Sequence, residues 1–173
     1  MEKIKVLFNE EEIKKRVCEI ADDLSKKYQG EDVTFICTLK GAVFFFCDLV
    51  KAFNGDAKIE FLRVSSYEGE SSTGKINLKL PLDAQNIHGK NIVLVEDIVD
   101  TGYTLKYIRN YIQEMHPKSY VEVSLLDKKE RRKVEINPDY AGFVIDDLFV
   151  IGYGLDYDQK YRNLPYIGVV VKE

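Results

Sequence analysis

The sequence predicts an α/β fold built around a mostly parallel sheet. Apolar runs typical of strands alternate with segments of helical periodicity through most of the 173 residues. The apolar runs lack the regular in-and-out alternation of a half-exposed strand, which indicates strands that are covered on both faces. A central sheet with helices packed on its faces accounts for both observations.

The first half of the chain supplies two helices and three strands. Asn9, with Glu12 three positions later, has the pattern of a capping box at the start of a helix. Apolar residues then recur at helical spacing and define the buried face of this helix: Ile13, Val17, Ile20 and Leu24. The other predicted elements are strands at 33–37, 59–64 and 75–80, a helix at 42–53, and a polar loop at 65–74.

The second half of the chain continues this alternation. A short apolar run at 92–95 predicts a strand, and the helix after it carries Leu105, Ile108, Ile112 and Met115 on one face. Pro117 is expected to end that helix, because proline cannot continue one. Further strands are predicted at 121–126, 143–145, 149–151 and 167–171.

The charge balance argues against an extended nucleic-acid interface, which requires a basic face. Acidic residues outnumber basic ones by 29 to 25, and the most basic stretch, at 128–133, is short and contains Glu130. The apolar run at 42–46 is too short to cross a bilayer. We therefore expect a protein that binds neither nucleic acid nor membrane.

The cysteines and the N-terminal segment favour a cytoplasmic location. The first ten residues lack the apolar stretch of a signal peptide. Cys18, Cys37 and Cys47 are odd in number and lack CxxC spacing, so we expect free buried thiols in a reducing compartment.

The most informative segment is 92–104, with the sequence IVLVEDIVDTGYT. It is predicted to run from a strand through an acidic pair and a turn into a helix, and ligands of open α/β sheets bind at such strand ends. The first N–H groups of the helix are unpaired, and the helix dipole favours an anion there. Gly102 lets the chain curl closely, while Thr101 and Thr104 add hydroxyl donors. We predict a cradle for one phosphate monoester.

Three carboxylates lie next to this predicted cradle. Glu96 and Asp97 would repel a phosphate that they faced directly, so their sensible partners are sugar hydroxyls and a hard metal such as Mg²⁺. A phosphate, a diol and a metal side by side describe a ribose phosphate. Asp100 lies between the acidic pair and the cradle, where it could reach a reacting group on the sugar or on the molecule that joins or leaves it.

Other nucleotide and metal motifs fail in this sequence. The segment 72–75 looks like part of a P-loop, but Ile76 follows its lysine and the upstream glycine is missing. The segment 152–154 begins like a dinucleotide fingerprint, but Tyr157 stands where the third glycine belongs. His88 and His116 each lie alone in a turn context, without a partner for zinc or triad chemistry.

The segment 92–104 resembles the 5-phosphoribosyl-1-pyrophosphate (PRPP) signature of the type I phosphoribosyltransferases. From about residue 33 to residue 171 the chain resembles the hypoxanthine-guanine branch of that family. The matching pieces are Leu39-Lys40-Gly41, Ser66-Tyr67, Lys128, Phe149-Val150, Asp156 and Arg162.

The resemblance implies the family's fold, a mostly parallel central sheet flanked by helices with a small hood. The chain would form one phosphoribosyltransferase domain over 1–173. The hood would come from the N-terminal segment and from the C-terminal part, about 140–173.

The resemblance also implies how PRPP would be held. Glu96 and Asp97 would bind the ribose hydroxyls, partly through Mg²⁺, and Asp100 would exchange a proton with purine N7. The pyrophosphate would contact Leu39-Lys40-Gly41, in this family often through a cis peptide bond that does not involve proline. The 5′-phosphate would lie against four consecutive residues, Thr101, Gly102, Tyr103 and Thr104.

The purine site is implied in the same way. Lys128 would donate to the 6-oxo group and disfavour the 6-amino group of adenine. Phe149 would stack on the purine, and Val150 would contribute backbone contacts. Asp156, at the same site, would bind a second Mg²⁺ on pyrophosphate, and Arg162 would contact that pyrophosphate.

A mobile lid is implied at 65–74, with Ser66 and Tyr67 closing over the reaction centre. Tyr103 and Ser65 stand where some members of the family carry lysine, so fewer positive charges would lie near the phosphates and the lid here.

The implied reaction is purine salvage. Hypoxanthine or guanine would attack C1 of PRPP, pyrophosphate would leave, and the protein would be a homodimer or a homotetramer. Three alternatives stay open: another base such as xanthine or a pyrimidine, a PRPP-sensing regulator that binds DNA or RNA, and a structural interaction protein. The regulator would need a basic face or an added DNA-binding domain, and neither is evident.

Overall fold

The computed structural model describes residues 3–66 and 76–171, and its main feature is a six-stranded sheet. The strands in spatial order are β4 (Ile76–Leu80), β3 (Ala57–Ser66), β2 (Val33–Thr38), β5 (Asn91–Val99), β6 (Ser119–Asp127) and β7 (Tyr140–Val144). All neighbours pair in parallel except β4, which runs antiparallel to β3 at the edge. This confirms the predicted α/β fold with a mostly parallel sheet.

The central strands begin level with one another. Val33 in β2 pairs with Asn91 in β5, and Asn91 pairs with Ser119 in β6. Parallel strands that start in register also end at one edge, so the segments that follow β2, β5 and β6 meet there. This edge carries the candidate site.

Three helices cover the sheet: α1 (Glu10–Lys27), α2 (Val43–Ala52) and α3 (Tyr103–Gln113). The capping box at the start of α1 is confirmed, since Asn9 and Glu12 each bond the other's backbone N–H. The apolar faces of α1 and α2 contribute to one hydrophobic cluster, and α3 contributes to a second. Residues of the same strands contribute to both clusters, as expected for a sheet that is covered by helices on both faces.

A second, three-stranded antiparallel sheet joins the two ends of the chain. Its strands are β1 (Lys3–Phe8), β9 (Ile167–Val171) and β8 (Val150–Ile151), in that order. The predicted hood combined the N-terminal segment with about 140–173. However, β7, at the start of that range, pairs with β6 in the large sheet. The division of 1–173 into one domain with a hood stays a prediction.

Several predicted boundaries were wrong. Residues 65 and 66 belong to β3, not to a loop, and α3 ends at Gln113, before the proline that was expected to stop it. The acidic pair does not follow a strand ended at 95, because β5 continues through it to Val99. The rest of the predicted loop, 67–75 with Tyr67, lies outside the described residues.

The prediction of free thiols is confirmed for all three cysteines, whereas the prediction that they are buried was correct only for Cys37. Cys37 in β2 is buried, whereas Cys18 and Cys47 are exposed on α1 and α2. All three are free thiols. In the described part of the chain, no helix is both long and apolar enough to cross a membrane.

Candidate active site

The turn between β5 and α3 forms a small cavity at the carboxyl edge of the large sheet. The cavity has a volume of about 170 Å³ and is lined by residues of the segment 96–105, with both carboxylates of the acidic pair, Asp100, Thr101, Gly102 and Thr104 among them. Four consecutive residues were predicted to cradle a phosphate; three of them line this cavity, whereas the side chain of Tyr103 is half-exposed.

Glycine at 102 is required by both backbone conformation and space. Gly102 is the N-cap of α3 with φ 89°, a left-handed conformation that glycine adopts at little cost. A Cβ there would lie 2.6 Å from a methyl group of Ile136. With no side chain at the N-cap, the first N–H groups of α3 are left for a ligand at the positive end of the helix dipole.

The acidic pair is buried at the end of β5. Glu96 is only 6% exposed, and its Oε1 has no hydrogen-bond partner within 3–66 and 76–171. Burial raises the pKa of Glu96 well above its usual range, and the neighbouring Asp97 adds to that rise. Burial also raises the pKa of Asp97, against the lowering effect of the Ile98 N–H, which donates to Asp97 Oδ1 at 2.8 Å. Glu96 Oε1 is thus available to accept a hydrogen bond from a sugar hydroxyl or to bind a cation.

A glycine holds the loop after β2 against the acidic pair. A Cβ on Gly41 would lie 1.7 Å from Asp97 Oδ2, and a Cβ on Gly154 would lie 2.1 Å from the carbonyl oxygen of Gly41. The loop after β2 therefore lies against Asp97 in β5 on one side and the loop after β8 on the other, with no room for a side chain at Gly41 or Gly154. The Leu39–Lys40 peptide bond is cis, as the resemblance implied.

Lys40 and Arg162 are brought together by Gln159, a residue that the sequence did not single out. Gln159 Oε1 accepts from Lys40 Nζ at 3.4 Å and from Arg162 Nη2 at 3.3 Å, while its backbone N–H donates to Asp156 Oδ2 at 2.9 Å. Arg162 also pairs with Asp156 at 2.8 Å and donates to the carbonyl of Gly154 at 2.7 Å. The two cations predicted to contact pyrophosphate thus lie on the same side of the site as Asp97.

The residues predicted to bind a purine lie beyond the ends of β5 and β6. Lys128 is 8% exposed, and its backbone N–H donates to the carbonyl of Val99 at 2.9 Å. Phe149 is 57% exposed and has Tyr157 edge-on to its ring at 5.5 Å, whereas Val150 is buried in β8. The exposed ring of Phe149 offers an aromatic face for stacking, and Lys128 offers a buried ammonium group.

Asp100 is not free in this structure. Arg131 Nε donates to Asp100 Oδ1 at 2.8 Å, and Arg131 Nη1 donates to Asp147 at 3.1 Å. Arg132, next along the chain, donates to the carbonyls of Val99 and Asp100 and so fixes the backbone of the turn. In the sequence, the basic run 128–133 was too short to indicate a nucleic-acid face, and Lys128 was the only residue in it with a predicted role. Two arginines of the run, Arg131 and Arg132, contact the candidate site.

The sequence also singled out two lid residues and two histidines. Ser66 ends β3, its side chain is not described, and Tyr67 lies outside the described residues. The lid therefore stays a prediction. His88 and His116 are not isolated as predicted, since their rings lie edge-on with centroids 6.3 Å apart.

A glutamine in place of Glu96 should stabilise the free protein at neutral and alkaline pH. The raised pKa means that the fold favours the protonated carboxyl, so this stabilisation is present below the ordinary pKa near 4.5 and is lost as pH rises through the raised value. Glu96→Gln removes the charge, and each kcal/mol gained should raise Tm by about 2–4 °C in a chain of this size. Melting curves at pH 5 and pH 8 without divalent cations measure the effect.

Glu122→Gln is the matched control for that experiment. Glu122 is also a buried glutamate, but it accepts hydrogen bonds from Arg109 at 2.8 Å and from Tyr120 at 2.8 Å. Neutralising a paired carboxylate should lower Tm. Equal destabilisation by both variants would contradict the interpretation that Glu96 Oε1 lacks a hydrogen-bond partner.

Comparison with known proteins agrees with this geometry. Residues 4–158 match the family model described as "Phosphoribosyl transferase domain". The chain belongs to the phosphoribosyltransferase family.

The similar proteins narrow the branch. A hypoxanthine-guanine phosphoribosyltransferase of Lactococcus lactis is 44% identical over 98% of this chain and 92% of its own. One from Aquifex aeolicus is 45% identical over 97% and 95%, respectively. A crystal structure of a hypoxanthine-guanine phosphoribosyltransferase from Bacillus anthracis superposes with a TM-score of 0.92 at 41% identity, covering 99% of this chain and all of the other.

Proposed function

We propose that this protein transfers the 5-phosphoribosyl group of PRPP to hypoxanthine or guanine and so forms IMP or GMP and pyrophosphate. The observation that carries the proposal is the buried Lys128, whose backbone N–H bonds the carbonyl of Val99 at the end of β5, just before Asp100. A buried cation with donors only is suited to a 6-oxo group. The names of the similar proteins support the same substrates.

The cavity of the β5–α3 turn would hold the 5′-phosphate. Its donors are backbone N–H groups at the start of α3 and the hydroxyls of Thr101 and Thr104. Because most of this binding comes from backbone groups, tyrosine at 103 does not prevent it. Lys40, Gly41 and Arg162 would face the pyrophosphate across the same edge of the sheet.

The carboxylates fit Mg²⁺. In the described part of the chain no three acidic, histidine or cysteine side chains form a closed metal cage. Mg²⁺ commonly uses one or two carboxylates and completes its shell with water and substrate phosphates, so Glu96, Asp97 and Asp156 are sufficient. The unpaired Oε1 of Glu96, and the burial that raises the pKa values of Glu96 and Asp97, support a bound cation at this pair. When bound, Mg²⁺ would neutralise charge on the departing pyrophosphate.

The protein's own residues would orient the two reactants and handle one proton. Glu96 and Asp97 would fix the ribose through its hydroxyls, and Phe149 would set the plane of the purine by stacking. Lys128 would hold the 6-oxo group while Asp100 accepts the proton of N7 as the new bond to C1 forms. The proposed lid at Ser66 and Tyr67 would exclude water from C1.

A spectrophotometric assay with PRPP, Mg²⁺ and each of hypoxanthine, guanine, xanthine and adenine tests this function. Turnover of hypoxanthine and guanine is expected. Turnover of xanthine alone would show that xanthine, and not hypoxanthine or guanine, is the substrate. A protein that turns over no base but shifts a DNA or RNA probe at low salt would be a regulator instead. We further propose a cytoplasmic homodimer or homotetramer, which sedimentation analysis measures directly.

An asparagine at Asp100 should lower kcat by about 10²–10³-fold, the lower half of the usual range for general acid–base catalysis. The amide keeps the size of the side chain, so the adjacent phosphate cradle should survive and PRPP affinity should change little. What is lost is the carboxylate that accepts the N7 proton. Single-turnover kinetics, PRPP titration and thermal melting on one preparation of Asp100→Asn measure these quantities.

The competing role for Asp100 is to shape the turn. In that case Asp100→Asn would weaken PRPP binding or lower Tm, with no specific effect on the chemical step. Wild-type single-turnover chemistry in a well-folded variant would rule out the catalytic role.

A further inference from the structure

Two residues to which no role has been given, Arg131 and Asp147, connect Asp100 with Lys128. Arg131 Nε donates to Asp100 Oδ1 at 2.8 Å, and its Nη1 donates to Asp147 Oδ2 at 3.1 Å. The other oxygen of Asp147 accepts a long hydrogen bond from Lys128 Nζ at 3.5 Å. The four side chains form one row of alternating charge, which we call the Arg131–Asp147 bridge.

The backbone beneath the bridge is held independently of it. The N–H of Lys128 donates to the carbonyl of Val99, and the N–H of Arg131 donates to the carbonyl of Lys128 at 3.1 Å. Beside them, the N–H of Ile145 donates to the carbonyl of Asp127 at 3.0 Å. The main chain of all three segments is thus fixed by its own hydrogen bonds, and the bridge orients the side chains at its two ends.

The bridge contributes little to the stability of the fold. The side chains of Arg131, Asp147 and Asp100 are 43%, 51% and 40% exposed, and exposed ion pairs contribute little to stability. The pairing nevertheless persists in the pH range of an assay, because the bond from Arg131 lowers the pKa of Asp147 and the bond from Lys128 lowers it further. A bridge that adds little stability but holds a fixed geometry is suited to orienting the side chains at its two ends.

We propose that Arg131 is a positioning residue for the purine: it orients the carboxylate of Asp100 and, through Asp147, the ammonium of Lys128. Arg131 occupies Oδ1 of Asp100 and leaves Oδ2 to accept a proton. N7 and the 6-oxo oxygen lie on the same edge of a 6-oxopurine, so an acceptor and a donor at a fixed separation match that edge. The inference rests on the proposed function and adds a residue that sets the separation.

Replacement of Arg131 by glutamine should lower kcat/KM for hypoxanthine about tenfold, since a small misplacement of reacting groups is costly, while KM for PRPP changes by less than about twofold. Tm should stay unchanged. Arg131→Lys should lower kcat/KM for hypoxanthine nearly as much as Arg131→Gln does. An ammonium group lacks the fixed fork with which a guanidinium bonds two carboxylates. Lys129→Gln, which removes an exposed charge from the same turn, is the control and should behave as wild type.

A double variant tests the connection through Asp147. Asp147→Asn should give a smaller loss with hypoxanthine, and Arg131→Gln combined with Asp147→Asn should be no worse than Arg131→Gln alone. Residues that act through one bridge show this non-additivity, whereas independent residues multiply their effects. Multiplied losses in the double variant would remove Asp147 from the proposal.

Two outcomes would overturn the role of Arg131. One is wild-type kcat/KM for hypoxanthine in Arg131→Gln. The other is a loss that accompanies an equal loss of PRPP affinity or a fall in Tm of more than about 3 °C, which indicates a structural role. Failure of the proposed function itself is distinguished by the wild-type protein, which would then convert neither hypoxanthine nor guanine in the same assay.

Discussion

Adenine should be converted about 10⁴-fold less efficiently than hypoxanthine, measured as kcat/KM with PRPP at saturation. The ammonium of Lys128 has three donors and no acceptor, and the residue is 8% exposed. The 6-amino group of adenine would place a second donor against it, with little access for water to mediate. A site built around one buried polar group rejects an analogue that cannot pair with it, because both partners are left unsatisfied.

Lys128→Gln is the variant that isolates this effect. A glutamine amide can donate to a 6-oxo group and can also accept from a 6-amino group. In this variant kcat/KM for hypoxanthine should fall, and the preference for hypoxanthine over adenine should become smaller. Lys129→Gln, one residue along the chain and exposed, should keep the full preference. Equal conversion of adenine and hypoxanthine by the wild-type protein would show that Lys128 does not select the base.

The fold was predictable because its strongest signals are local. The central strands β2 and β5 are marked by short apolar runs, and the capping box of Asn9 and Glu12 marks the start of α1. The same rule misplaced the end of β5, because a strand prediction based on apolarity stops at Glu96 although this acid is buried inside the strand. β1 was missed although its lysines alternate with apolar residues, and its partner β9 lies at the other end of the chain.

The chemistry of the site was predictable only where residues act together in one short segment. The acids and threonines of 96–104 lie within nine positions, so their common surface follows from a strand, a turn and a helix. Gln159 meets Lys40 across 119 positions, and Arg131 meets Asp100 across 31. No periodicity connects such pairs, and a polar residue in a loop gives no sign of its partner. These contacts require the folded chain.

Removal of divalent cations should lower turnover at least about a thousandfold, since charge stabilisation by a bound metal is worth several kcal/mol. The acidic pair explains this requirement. Glu96 is buried with Oε1 unpaired among the described residues, and burial raises the pKa values of both Glu96 and Asp97. Without a cation, ionised carboxylates here repel each other and the incoming phosphates. Turnover with EDTA, and again after Mg²⁺ is restored, measures the effect.

Two variants assign that requirement to particular carboxylates. Asp97→Asn should weaken binding of Mg²⁺ with pyrophosphate in calorimetry, since Asp97 Oδ2 lies against Gly41 in the loop that is proposed to contact pyrophosphate. Glu122→Gln is the control, because the carboxylate of Glu122 is buried in a separate ion pair with Arg109. Asp97→Asn that binds Mg²⁺ and pyrophosphate as tightly as wild type would remove Asp97 from the metal site. Full turnover in EDTA would remove the metal from the reaction and leave the acidic pair to hold the ribose hydroxyls alone.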